Sequence, residues 1–137
     1  MISQEDFEGW VEFMDETISQ FLYDLPDEVS DKLDYSTESL SALEEWLMNE
    51  YSSPADILQP SENWTIDRAS RYVGETLRRS AGGVWDIELS EPSAAFYGLP
   101  VIRKSGAWTE CPASLVTASL DRREGEYIRS VVGNLSK

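Results

Sequence analysis

Histidine is absent from the 137 residues of this chain, and cysteine occurs once, as Cys111. Without histidine there is no Ser-His-Asp or Cys-His nucleophile, no histidine metal site and no imidazole pH switch. A lone cysteine excludes an intrachain disulfide and fits a reducing compartment. The N-terminus, MISQEDFEGW, has neither a basic stretch nor an apolar core, so no signal peptide is expected. Apolar runs of the roughly 18 residues needed to span a bilayer are missing too. Together these absences predict a cytoplasmic location.

Positive charge is the next scarcity. Residues 1–62 hold 17 acidic residues and one basic residue, Lys32, a net −16. Residues 63–137 hold 9 acidic and 10 basic residues, so almost all of the chain's −15 lies in its first half. Such a surface repels phosphate, which disfavours direct contact with nucleic acid or an anionic membrane. A basic protein is its natural complement. The plainer alternative is a solvated face that serves solubility alone.

What is present suffices for one domain. Hydrophobic residues make up 41% of the chain, with five Trp, six Tyr and four Phe, and a chain of this length folds without disulfides or metal. Phe7, Trp10, Val11, Met14, Ile18, Phe21, Leu22 and Leu25 recur at the helical period, which predicts one helix over about 4–25, capped by Ser3 and stopped by Pro26. Residues 26–35 read as a polar connector. A second helix is predicted over about 37–51, with Ser36 as its cap and Leu40, Leu43, Trp46, Leu47 and Tyr51 as its buried stripe. Residues 52–63 read as a loop with one helical turn near Ala55–Leu58. A third helix is predicted over 65–81, capped by Thr65 and ended by Gly82-Gly83.

The period then changes to two. Val84–Leu89 reads as a half-buried strand, with Ala94–Tyr97 and Leu99–Arg103 as second and third strands. Pro112 suits the start of a last helical region, whose stripe runs from Leu115 through Ser119, Arg123, Tyr127 and Val131 to Leu135. Gly125 either divides that region into two helices or is tolerated within one. The expected fold is α+β in a single domain over 1–137: N-terminal helices, a small antiparallel sheet of about three strands, and a C-terminal helix or helix pair.

No catalytic constellation emerges, and no metal or cofactor is expected. The acids Asp24, Asp27, Glu28, Asp31 and Asp34 lack the alternating Asp pattern, glycine and terminal Glu of a calcium loop. Gly82-Gly83 follows a helix and precedes a strand, the reverse of a phosphate-cradling loop. Cys111 has no partner base and reads as a packing residue. The distinctive stretch is Tyr72-Val73-Gly74-Glu75, then Gly82-Gly83-Val84-Trp85. A glycine inside a helix costs about 1 kcal/mol against alanine, so Gly74 implies close approach of another element. Glu75 beside it would need a partner if buried, with Arg71, Arg78 and Arg79 within reach.

At these residues, and at Tyr97-Gly98-Leu99-Pro100-Val101-Ile102, the chain resembles a loosely defined group of small bacterial domains of uncharacterised function. The resemblance covers about 64–135. In size and simplicity such domains resemble immunity proteins that neutralise bacterial toxins, and the group supplies no catalytic residues to carry over.

Three functions follow as expectations. The first is a non-enzymatic, acidic protein-binding domain, of immunity or inhibitor type, for a basic partner such as a nuclease toxin. Its contacts would be Glu8, Glu12, Asp15, Glu16, Glu44, Glu45 and Glu50, with Phe13, off the main stripe, as an aromatic anchor. The second is a small-ligand-binding or enzymatic cleft formed by Tyr72, Glu75, Arg78 and Trp85. The third is a structural subunit of an oligomer.

Overall fold

The apolar stripe of the first segment folds as two helices, not one. In the computed structural model, which describes residues 3–137, α1 (Gln4–Glu12) and α2 (Met14–Asp24) meet at a break at Phe13. Ser3 caps α1 as expected, its Oγ accepting from the Asp6 amide at 3.0 Å. The break has a cause outside the segment. Arg71, 61 residues further on, donates from Nη1 to the Trp10 carbonyl at 2.8 Å, beside the kink. A side chain that enters the hydrogen-bond ladder of a helix bends it. The two arms then bury different surfaces. Trp10 packs edge-on against Trp85, with centroids 4.9 Å apart, while Phe21 meets Trp46 and Trp64.

The polar connector contains one helical turn, α3 (Asp27–Ser30). The next helix, α4 (Ser39–Glu50), starts slightly later than the sequence suggests, with Ser36 Oγ accepting from the Ser39 amide. Leu40, Leu43 and Leu47 are fully buried along it. After the short α5 (Pro54–Ile57) and a 3-10 turn at Pro60–Glu62 comes α6 (Asn63–Ala81). It begins two residues before Thr65, which therefore lies inside the helix rather than capping it. Residues 69–77 of α6 are all buried, because α2, α7 (Pro112–Arg122), α8 (Tyr127–Leu135) and the sheet surround it. Gly82, at φ 88°, ends it in a conformation that side chains disfavour.

Three short strands follow: β1 (Val84–Asp86), β2 (Val101–Lys104) and β3 (Trp108–Glu110), antiparallel in that order. Two expectations change here. Ala94–Tyr97 is not a strand. Its amides close turns, with Tyr97 N on Ala94 O and Leu99 N on Phe96 O, and the Glu88 carboxylate holds Ser90 and Glu91 in another turn. The third strand is instead Trp108–Glu110, which the Ser105-Gly106 turn folds back onto β2.

Gly125 does divide the last helical region. Arg123 adopts a left-handed conformation at φ 53° and ends α7, so the stripe from Leu115 to Leu135 is shared by two helices. Arg123 is not buried in that stripe. Its guanidinium reaches the Met48, Tyr51 and Ser52 carbonyls at 2.8–3.1 Å, closing the C-terminal end of α4. One buried cluster draws on residues from Met14 to Val132, so both halves of the chain share a core. The fold is α+β. Among the described residues no helix is long and apolar enough to cross a membrane.

Candidate binding cleft

Gly74 sets the geometry of the site. The six-membered ring of Trp85 lies against its backbone, in the space a β-carbon would fill. The strand that begins at Val84 can therefore bring its indole directly onto α6. The next residue on the helix, Glu75, is 6% exposed, and its Oε2 accepts from Trp85 Nε1 at 3.0 Å and from Arg78 Nη1 at 2.7 Å. Arg71 and Arg79, the other cations within reach in sequence, are engaged elsewhere. Arg71 pairs with Asp67 at 2.9 Å, and the Arg79 guanidinium sits 3.6 Å from the centre of the Tyr35 ring.

Glu75, Arg78 and Trp85 line a cleft of about 340 Å³ whose other walls come from Val11, Glu12, Met14, Asp15 and Val84. These walls straddle the break at Phe13, with Val11 and Glu12 from α1 and Met14 and Asp15 from α2. Two residues expected as partner contacts thus share a cleft with three expected as a ligand site. Tyr72 does not join them. It is fully buried, and its hydroxyl accepts from the Tyr35 amide at 2.9 Å. Ser39 Oγ donates to the Ser36 carbonyl at 2.6 Å, so the 2.6 Å link between the two hydroxyls carries the Tyr72 proton. Tyr72 pins α4 to α6 and has no access to the cleft.

The remaining acidic candidates divide. Glu8, Glu16, Glu45 and Glu50 are exposed, as is Phe13 at 57%. Glu45 and Glu50 line a separate groove with Glu28, Lys32 and Trp46. Glu44 is not a partner contact, because it is 0% exposed. Its two oxygens accept from the Ile128 and Tyr127 amides at 2.8 and 3.2 Å, capping the start of α8. Cys111 is fully buried at the head of α7, as a packing residue would be. Among the described residues no group of three or more Cys, Asp or Glu is placed to hold a metal ion.

A second groove, of about 530 Å³, is lined by both Trp10 and Trp85. Leu58, Ile66, Leu99, Pro100 and Pro112 make it mostly apolar. Sequence periodicity gave no sign of it, because its walls come from six separate segments.

No family model matches the chain, and no curated protein or solved structure is similar enough to serve as a relative. Function must therefore be argued from the surface and the clefts.

The buried phenols make the fold sensitive to alkali. Loss of solvent around Tyr72, Tyr35 and Tyr51 raises each pKa above the ordinary 10.0. A raised folded pKa favours the protonated form, so this contribution is complete below pH 10.0 and is lost as pH climbs through the folded values. Urea denaturation is expected to give a flat stability around neutrality and a steep decline above that point. Tyr72→Phe should lower stability at pH 8 by about 1–2 kcal/mol, because the Tyr35 amide loses its acceptor, and should also flatten the alkaline decline. An unchanged alkaline slope in this variant would show that Tyr72 is not the titrating group.

Proposed function

We propose that this chain is a non-enzymatic binding domain that captures a basic protein, in the manner of an inhibitor or immunity protein, with a bacterial nuclease toxin as the most concrete partner. One observation carries the reading. Among the described residues there are six ion pairs, and all their acids lie between Asp67 and Glu126. No cation among the described residues pairs with any of the 17 acidic residues in the first 62 positions. Few of them serve the fold: Glu44 is fully buried, and Asp34, Asp56 and Glu62 accept local hydrogen bonds. Most of the rest form an unneutralised field over α1 to α4, which raises encounter rates with a basic partner by factors of about 10 to 1,000.

The test begins with capture from the native cell's extract at low and high salt, followed by association kinetics with the captured protein. A basic, stoichiometric partner released by salt is expected. Replacing Glu8, Glu16 and Glu45 together by Lys should slow its association at low salt at least about tenfold. These side chains are exposed, so the fold should be unaffected. Absence of a basic partner at either salt, or an unchanged rate, would reduce the acidic half to solvation. A small-ligand function for the Glu75 cleft is the second reading, and it stands on the fact that Glu75 does line a cavity.

A further inference from the structure

We infer that the cleft between the α1–α2 kink, α6 and β1 is a socket for one cationic side chain, an arginine or lysine, of the basic partner. The inference rests on the binding function proposed above and adds where the partner's anchoring residue goes.

The decisive atom is Glu75 Oε1. Both hydrogen bonds to this carboxylate, from Arg78 and from Trp85, end on Oε2. Among the described residues Oε1 receives none, although the side chain is more than nine-tenths buried. Nor is Oε1 among the side-chain oxygens and nitrogens sealed from solvent without a partner, so it faces the cleft that Glu75 lines. An open acceptor on an otherwise buried carboxylate can take a charge-assisted hydrogen bond from an N–H of a bound group.

The charges select the ligand. Glu12, Asp15 and Glu75 line the cleft against Arg78 alone, whose Nη1 donates to Oε2 while its buried Nε has no partner among the described residues. The surplus is two negative charges, which favours a cation and rejects an anion. Val11, Met14, Val84 and the Trp85 ring supply apolar walls along which the methylene stem of arginine or lysine can lie while its head meets Oε1. A volume of about 340 Å³ is at the small end of ligand sites and suits one long side chain rather than a large cofactor. Burial of a charged anchor at such a point is where binding energy concentrates in protein interfaces.

The test uses the whole chain and no partner. Acetyl-arginine methylamide, acetyl-lysine methylamide and the neutral acetyl-citrulline methylamide are titrated while the indole N–H resonance of Trp85 is followed by NMR. That proton lies on the other oxygen of the same carboxylate, so it reports occupancy of the socket. The arginine or lysine compound should shift it saturably with a dissociation constant of about 1–10 mM, as expected for a single side chain, and citrulline should bind at least about tenfold more weakly.

Glu75→Gln keeps one acceptor for Arg78 and Trp85 but turns the cleft-facing atom into a donor. It should weaken binding about tenfold with its melting temperature little changed. Asp15→Asn, on an exposed rim residue, should weaken binding about threefold and carries the test should the first variant fold poorly. Citrulline binding as well as arginine, absence of a saturable shift, or both variants binding like the parent would each overturn the socket. None of these results depends on Glu8, Glu16 or Glu45. Failure of the socket and failure of the acidic capture surface are therefore read in separate experiments.

Discussion

Glu44→Ala is expected to destabilise the protein by about 3 kcal/mol, lowering its melting temperature by roughly 10 °C. The carboxylate is 0% exposed and makes no ion pair among the described residues. Its charge is instead met by the amides of Tyr127 and Ile128 at the start of α8, where the helix dipole favours a negative group. Truncation leaves both amides without an acceptor and opens a void in the core. Hydrogen bonds to a charged acceptor contribute about 1.5–3 kcal/mol each, and the loss is only partly recovered by any water that enters. Glu44→Gln keeps the volume and one oxygen, but turns an N–H toward a backbone amide, so an intermediate loss of about 1–2 kcal/mol is expected. Arg123 makes the complementary link, closing the last turn of α4 from the end of α7. The two contacts tie the middle and the C-terminal end of α4 to the C-terminal helix pair. Urea denaturation followed by circular dichroism checks the prediction, and a loss below about 1 kcal/mol for the alanine variant would remove the capping role.

Glu44 was expected as an exposed partner contact, although its spacing held a signal of burial. It stands four residues after Leu40 and three before Leu47, on the buried face of the helix, so its spacing argued against a surface contact. What the spacing could not show was that another helix begins at that point, 83 residues further along. The same divide runs through the rest of the chain. Local periodicity was enough to read the longer helical segments, two of the three strands and the close approach at Gly74, because each leaves its mark on neighbouring residues. The break at Phe13 escaped, since its cause is an arginine on α6. Trp108–Glu110 escaped because three residues between a turn and Pro112 carry too little alternation to read as a strand. Glu75, Arg78 and Trp85 are brought together as expected. Tyr72 faces α4 instead, and the acids opposite Glu75 were indistinguishable in sequence from the others on α1 and α2.

Gly74→Ala is expected to break the same cleft from behind. In most helices this exchange stabilises, by about 1 kcal/mol, because alanine restricts the unfolded backbone more than glycine does. Here the new β-carbon would fall inside the Trp85 ring, against Cη2 and Cζ2, so the indole must shift. Overpacking of this kind costs about 1–3 kcal/mol, occasionally more, and the clash falls at the severe end of that range. A net loss of about 2 kcal/mol is expected, and Trp85 should be pushed off its hydrogen bond to Glu75. The variant should therefore melt earlier and show a displaced Trp85 indole resonance. The argument has a sharper form in the Trp85→Leu background. With the ring gone the steric penalty vanishes while the helix preference stays, so Gly74→Ala should become neutral or stabilising by up to about 1 kcal/mol. Equal destabilisation in both backgrounds would mean that the glycine serves the helix for some other reason. A sign reversal would show that Trp85 alone requires a glycine at position 74, and with it the close approach that places Glu75 at the wall of the cleft.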